Sequence, residues 1–260
     1  MAQGVVIGSQ LIEGRMVSTV RKRLLLISNS TQHGRGYLDH VESEIRDLLG
    51  PVRRVLFAPF AMFDRHAYEA KARGWFEAMG YRLDSLHAVA EPQKRVEEAE
   101  AIFVGGGNTF RLLKALQDLE LVRSIRSRVA DGVPFIGSSA GSIVSCPTLK
   151  TTKDMPVVEP ASFEALALVD FQISPHYLDP DPASTHMGET QEERILQFLE
   201  ENDCPVVGLR EGGVLRIQDG VVKLKGSSAA RVFRRGMTPV EVQPGEEIDF
   251  LLAALPEGSQ

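Results

Sequence analysis

A three-layer α/β sandwich on a mostly parallel sheet is the fold class the sequence predicts, and three features predict it. Apolar runs of strand length occur with almost no polar interruption, amphipathic segments of helical spacing lie between them, and the connections are short. Strands covered by helices on both faces lose the apolar–polar alternation of a half-exposed sheet, because neither face meets water. In such a fold ligands lie beyond the carboxyl ends of the strands.

The elements follow in order. "KRLLLISNS" (22–30) reads as a buried strand that breaks on polar turn formers, and "GYLDHVESEIRDLLG" (36–50) as a helix presenting Leu38, Val41, Ile45 and Leu48 before Gly50 stops it. "RRVLFAPFA" (53–61) is a second strand, "DRHAYEAKARGWFEAMGY" (64–81) a second helix with Trp75 and Phe76 as core anchors, and "YRLDSLHAV" (81–89) a short third strand. Residues 92–118 give a small helix, the strand "AIFVG" and a helix starting near Asn108; "VPFIG" (133–137) closes the regular alternation. From 146 to 190 the pattern loosens into a proline-rich stretch without periodicity, the kind of long connection that is usually functional or disordered. "TQEERILQFLEEN" (190–202) restores a helix with Thr190 as its cap, and the tail is cut by turns such as Asp219-Gly220 into short β-rich runs, expected as antiparallel strands on one edge of the sheet.

With 260 residues, 43% of them hydrophobic, and no internal repeat or linker, the chain suits one domain with a sizeable core. The 29 basic and 35 acidic residues give a net charge of -6 without long blocks of either sign, so no nucleic-acid partner is expected. Neither a basic leader feeding an apolar segment nor a run of membrane-spanning length occurs, so no membrane association is expected and a cytoplasmic location is. The two cysteines, Cys146 and Cys204, make no CxxC pair and read as buried thiols.

The chemistry concentrates in "PFIGSSAGSIVSCP" (134–147). A strand runs into Gly137-Ser138-Ser139-Ala140-Gly141, the Gly-x-Ser-x-Gly pattern of a nucleophile on a sharp strand-to-helix turn, where small neighbours are needed because the backbone passes close on both sides. The backbone N–H of Ala140 then sits at a helix start, where negative charge is favoured. The alternative is a plain glycine-rich helix entry. A second glycine cluster, "FVGGGNTFRLL", also joins a strand to a helix; it lacks the Gly-x-Gly-x-x-Gly pattern and the lysine of a phosphate loop, but Gly107 could pair with Ala140 as a second oxyanion donor.

A serine needs a base. His33, His40, His66 and His87 lie in or beside early helices and strands and read as surface or packing residues, and His186 lies in a loop. His176 in "FQISPHYLDP" differs, because a short strand delivers it at its end. Asp154, Asp179 and Glu211 are the carboxylates that could stand behind it, and spacing alone does not rank them. No tight His/Asp/Glu spacing suggests a metal, and no cofactor is required.

Taken together, "LLLISNST", "VGGGNTFRLLK", "IGSSAGSIVSCPTLKTTKDMPVVEP", "FQISPHYLD", "GETQEERI" and "VVGLREGG" resemble, in colinear order, the segments of serine peptidase family S51, aspartyl dipeptidases whose fold is like that of class I glutamine amidotransferases (flavodoxin-like). The resemblance covers residues 22–235 as one α/β peptidase domain with a β-rich C-terminal edge, leaving 1–21 and 236–260 as extensions. It implies Ser139 as nucleophile, His176 as base, Glu211 or Asp154 as the third member, and Gly107 and Ala140 as oxyanion donors. It also implies short peptides as substrates and is compatible with a homodimer.

Asn108, Ser138, Gln191 and Arg210 are expected around the substrate. Two of these positions depart from the family pattern: Ser138 stands where "GWSAG" has tryptophan, and Gln191 where "GETREQR" has the arginine that receives an aspartate side chain. Glutamine hydrogen-bonds but lacks the charge-assisted pair, so a wider first-residue preference is expected, with Arg194 or Arg210 as compensating cations. The enzyme alternative is a cyanophycinase-like hydrolase of β-aspartyl-arginine bonds, whose glycine cluster resembles Gly-Gly-x-Gln. A glutaminase-type amidotransferase would have cysteine at the elbow, and a non-catalytic binding protein with a relic elbow is the remaining alternative.

Overall fold

A computed structural model describes residues 22–185, 187–248 and 252. The extension 1–21, most of 249–260 and His186 lie outside the described residues. Seven strands form the main sheet: β1 (Arg23–Ile27), β2 (Arg54–Ala58), β3 (Arg82–Ser85), β4 (Ile102–Val104), β5 (Phe135–Ser138), β8 (Gly213–Gln218) and β9 (Val221–Gly226), in the order β3-β2-β4-β5-β1-β8-β9. The first five in that order are parallel; β8 and β9 add antiparallel to the β1 edge.

Alternation along each strand explains the unbroken apolar runs. Leu24 and Leu26 of β1 face one core with Leu56, Ala58, Ile102 and Val104, whereas Leu25 and Ile27 face the other with Val55, Phe57 and Phe103. The first face is covered by α3 (Pro92–Glu97), α4 (Thr109–Asp118), α5 (Leu121–Ala130) and α6 (Ala140–Val144), and the second by α1 (Glu42–Leu49) and α2 (Arg65–Ala78). This is the three-layer α/β sandwich expected from the sequence. Among the described residues no helix is long and apolar enough to cross a membrane.

Two expectations change in detail. The first helix begins later than its apolar spacing suggests: Leu38 has φ 57°, and a 3-10 turn at Asp39–Val41 precedes α1. The tail does not all join one edge. A second sheet, ordered β11-β10-β7-β6, is made of β6 (Gln172–Pro175), β7 (Val206–Leu209), β10 (Ala230–Phe233) and β11 (Val240–Val242). Here β6 and β7 are parallel, and β10 follows β7 antiparallel so that Val232 and Phe233 extend the apolar layer begun by Val206 and Val207. Helix α7 (Gln191–Glu201) lies between β6 and β7 in sequence, started by a reciprocal capping box of Thr190 and Glu193. The irregular stretch 146–171 is tied into the core through Leu149, Leu166 and Phe171.

The bend from β5 into α6 is a close backbone crossing. A Cβ on Gly141 would lie 2.1 Å from the Val104 carbonyl oxygen, and one on Gly137 would lie 2.6 Å from that of Gly141. Gly74, inside α2, has nothing within 4 Å of that position. We therefore expect Gly141→Ala to lower unfolding free energy by about 2–3 kcal/mol through overpacking. Gly74→Ala should raise it by roughly 0.5–1 kcal/mol through helix propensity. Urea unfolding of both variants tests the pair, and equal effects would contradict the close-approach argument.

Candidate active site

Ser139 occupies the bend itself, at φ 53° and ψ −110°, a left-handed backbone that a side-chain-bearing residue keeps only when its surroundings hold it. Its N–H donates to the Ile27 carbonyl of β1 at 2.9 Å, and the Ser142 hydroxyl lies 2.8 and 2.9 Å from the Ile27 and Gly137 carbonyls. The Ser139 hydroxyl is thereby raised at the carboxyl end of the parallel strands.

His176 follows β6 directly and also has positive φ, 51°. Its backbone is gripped from several sides. The N–H donates to Ser28 Oγ at 2.9 Å, and the carbonyl accepts from Lys153 Nζ at 3.1 Å and Gln191 Nε2 at 3.2 Å. Held this way, the ring bridges two groups: Nε2 lies 2.9 Å from Ser139 Oγ and Nδ1 lies 2.7 Å from Glu211 Oε1. A carboxylate on Nδ1 favours the tautomer protonated there, leaving Nε2 to accept the serine proton. Glu211 is itself fixed by its neighbours, with its carbonyl accepting from Ser228 Oγ at 2.6 Å and the Gly212 N–H donating to Asn29 Oδ1 at 2.7 Å.

The glycine cluster lies against the elbow, since a Cβ on Gly106 would sit 3.0 Å from Ser139 Cβ. The Gly106 N–H is already engaged by Tyr68 OH at 2.9 Å. The N–H groups of Gly107 and Ala140 have no hydrogen-bond acceptor among the described residues. Gly107 has φ 133°, a conformation suited to glycine, and a Cβ there would lie 2.7 Å from the Ala61 carbonyl oxygen. Free backbone donors on the two segments that meet at a hydroxyl are what an oxyanion on an attacked carbonyl requires.

The other expected residues are placed differently. Asp154 does not meet the imidazole in this structure: its Oδ2 accepts from the Thr109 N–H at 2.7 Å and the Thr109 hydroxyl at 2.6 Å, because the orphan N–H groups at the start of α4 attract a carboxylate. Asn108, expected around the substrate, caps α4, accepting from the Arg111 N–H at 3.0 Å while donating to the Met155 carbonyl at 2.8 Å. Ser138 is no pocket wall; it is fully buried, and its hydroxyl has no hydrogen-bond partner among the described residues. Gln191 uses both ends of its amide on backbone, accepting from the Leu178 N–H at 3.1 Å and donating to His176. Arg210 is held by Asp179 at 2.7 and 2.8 Å and by Glu241 at 2.5 Å, and the Asp179 bond raises its pKa further. Arg194 pairs with Glu189 at 3.6 Å.

Three residues at the site went unassigned in the sequence reading: Ser28, Tyr68 and Lys153. Ser28 could have been found from its place at the end of a central strand. Tyr68 lies on a helix with no motif around it, and Lys153 in a segment without periodicity.

Comparisons with known proteins follow the same direction. The model of the family described as Peptidase family S51 matches residues 24–225. The chain is similar to Peptidase E of Streptomyces coelicolor, at 51% identity over 229 residues, covering 88% of this chain and 94% of that one. It is 44% identical over 234 residues to a Drosophila melanogaster protein named "Probable alpha-aspartyl dipeptidase", covering 89% and 98%. The crystal structure of a peptidase from an acI-B1 Actinobacterium superposes with a TM-score of 0.66 over 88% of this chain and 98% of that chain, at 16% identity, which shows the shared fold.

Lys153 makes this geometry sensitive to pH. Burial pushes its ammonium down to about 8 against the opposing pull of Asp154, so its charge, and the charge assistance of its bonds to the Pro175 and His176 carbonyls, is lost as pH rises through about 8. Lys153→Met should lower kcat/KM for a dipeptide about tenfold at pH 6.5, the effect of one charge-assisted bond. The ratio of wild type to variant should then shrink as pH passes about 8; taking the ratio cancels the titration of the substrate's own amine. A ratio that stays flat up to pH 9.5 would rule out a role for the ammonium.

Proposed function

The chain belongs to peptidase family S51, and from that premise we propose that it is a serine dipeptidase in which Ser139 attacks, His176 relays the proton and Glu211 orients the imidazole. The observation that carries the reading is the unbroken line from the Ser139 hydroxyl through both ring nitrogens of His176 to the Glu211 carboxylate.

In the proposed cycle the peptide carbonyl after the first residue enters above Ser139. His176 Nε2 takes the hydroxyl proton as Oγ bonds to the carbonyl carbon, and the negative charge that develops on oxygen is met by the N–H groups of Gly107 and Ala140. The imidazolium, stabilised by Glu211, gives its proton to the departing amine as the C–N bond breaks. Water then attacks the acyl-enzyme with the same nitrogen as base, releasing the first residue as a free acid. Losing one oxyanion donor typically costs about 3 kcal/mol of transition-state stabilisation.

For the first residue of the peptide we propose a preference wider than aspartate. The Drosophila relative's name specifies α-aspartyl dipeptides, but the position that would supply an arginine is Gln191, whose amide is engaged by the Leu178 and His176 backbone, and Arg210 is engaged by Asp179 and Glu241. The setting proposed is the cytoplasm, which suits two unpaired thiols, Cys146 and Cys204.

The two carboxylates separate under substitution. Ser139→Ala should lower kcat by roughly 10⁵-fold or more, and Glu211→Gln by about 10³–10⁴-fold with the fold intact. Asp154→Asn should cost far less in kcat and show mainly as lost stability. A folded Asp154→Asn protein as impaired as Glu211→Gln would transfer the orienting role to Asp154. In the same assay Asp-Leu, Ala-Leu and Met-Leu should differ by no more than about tenfold in kcat/KM, roughly 1.4 kcal/mol. A hundredfold advantage for Asp-Leu would refute the wider preference.

A further inference from the structure

Where α2 begins, two imidazoles and a carboxylate outside the Ser139–His176–Glu211 line converge. The geometry points to a binding site there for a zinc-class divalent cation, held by His66 Nδ1, His87 Nε2 and Glu69 Oε2. His87 Nε2 lies 3.2 Å from His66 Nδ1 and 3.5 Å from Glu69 Oε2, and one ligand atom from each residue lies within 4.8 Å of the other two. Zinc bonds to nitrogen and carboxylate oxygen are about 2.0–2.2 Å, so neighbouring ligand atoms in a tetrahedral shell stand roughly 3.3–3.5 Å apart. The two separations from His87 Nε2 already match edges of that shell.

The chain builds this cluster from two elements. His66 and Glu69 are three residues apart near the start of α2, hence on one face, and the helix is capped by Asp64, whose Oδ1 accepts from the Ala67 N–H at 2.9 Å. His87 comes from the 3-10 turn Leu86–Ala88 that follows β3. The separation in sequence is why spacing alone gave no metal signal. The His87 side chain is only 4% exposed and that of Glu69 16%, so these two ligands are not solvated surface groups, whereas His66 faces solvent.

Each of these two ligands has an outer partner on its other atom. Ser85 Oγ lies 2.7 Å from His87 Nδ1, where it can accept the ring proton and so leave the Nε2 lone pair for the cluster; Arg73 binds the other Glu69 oxygen, leaving Oε2 facing His87. Such partners orient ligands and fix their tautomers. Two histidines and one carboxylate are the donor set of an open site, and imidazole favours zinc, cobalt, nickel or copper over magnesium or calcium. The remaining position is offered by a cleft of about 780 Å³ lined by both histidines and by Arg65, Arg111 and Lys114, a setting in which water or a carboxylate would complete the shell. The inference stands apart from the reading of Ser139.

The competing account is a proton shared between the two imidazoles with Glu69 as its counter-ion. The full chain, stripped of metal by dialysis against a chelator, is titrated with Zn²⁺ by calorimetry and with Co²⁺ by visible absorption. We expect one ion per chain and the d–d bands of tetrahedral cobalt. Affinity should fall at least tenfold in His66→Asn and His87→Asn, about tenfold in Ser85→Ala, and not at all in His176→Asn. Because His66 is exposed, His66→Asn decides the matter even if His87→Asn fails to fold. Absence of stoichiometric binding, unchanged affinity in His66→Asn, or loss confined to His176→Asn would overturn the assignment.

Discussion

The buried hydroxyl of Ser28 joins the two sheets at the point where the reacting groups meet. It donates to the Leu209 carbonyl of β7 at 2.8 Å and accepts the His176 N–H at 2.9 Å, while its own backbone N–H donates to the Gly213 carbonyl at 3.1 Å. Ser139 rides on the main sheet through β5, the neighbour of β1; His176 and Glu211 ride on the ends of β6 and β7 in the second sheet. A slide of one sheet past the other would strand buried polar groups at about 1–3 kcal/mol each. The distance between hydroxyl and imidazole is therefore set by sheet packing and not by the flexibility of either side chain.

A second tie runs through residues 152–155. Thr109 binds Asp154, Asn108 binds the Met155 carbonyl, and between these contacts Lys153 reaches the Pro175 and His176 carbonyls. The glycine loop that carries Gly107 is thus linked to the residue that carries the imidazole by one short segment. In this structure the Asp154 carboxylate lies on Thr109 and not on the imidazole: its charge meets the N-terminus of α4, where the helix dipole favours it, and so holds the loop of Gly107 in place.

The sheet and its covering helices were legible because burial on both faces writes itself into the chain as continuous apolar strands, as in "RLLLI" and "RVLFA". The second sheet was not, because "VVGL" and "ARVF" read only as short β-rich runs, and nothing local to them says which neighbour they pair with. Ser139 and His176 could be singled out since each sits where an apolar run stops, at the rim expected to hold ligands; Glu211 shares that placement, but spacing did not rank it above Asp154 or Asp179. Asn108 and Gln191 were expected around the substrate, Gln191 through the family pattern that has arginine there. Their short amides satisfy nearby backbone first, as cap and as staple, and sequence spacing does not reveal that competition.

The staple at Gln191 depends on the residue being neutral and bifunctional. One amide both accepts from the Leu178 N–H and donates to the His176 carbonyl, fixing the peptide on either side of Tyr177. A guanidinium has five donors and no acceptor, so an arginine could keep the bond to His176 but would leave the Leu178 N–H without its partner. At this position, then, holding the base and receiving a substrate carboxylate are competing uses of one side chain. Glutamine serves the first through both of its polar atoms, and the cation needed for the second is absent from that residue.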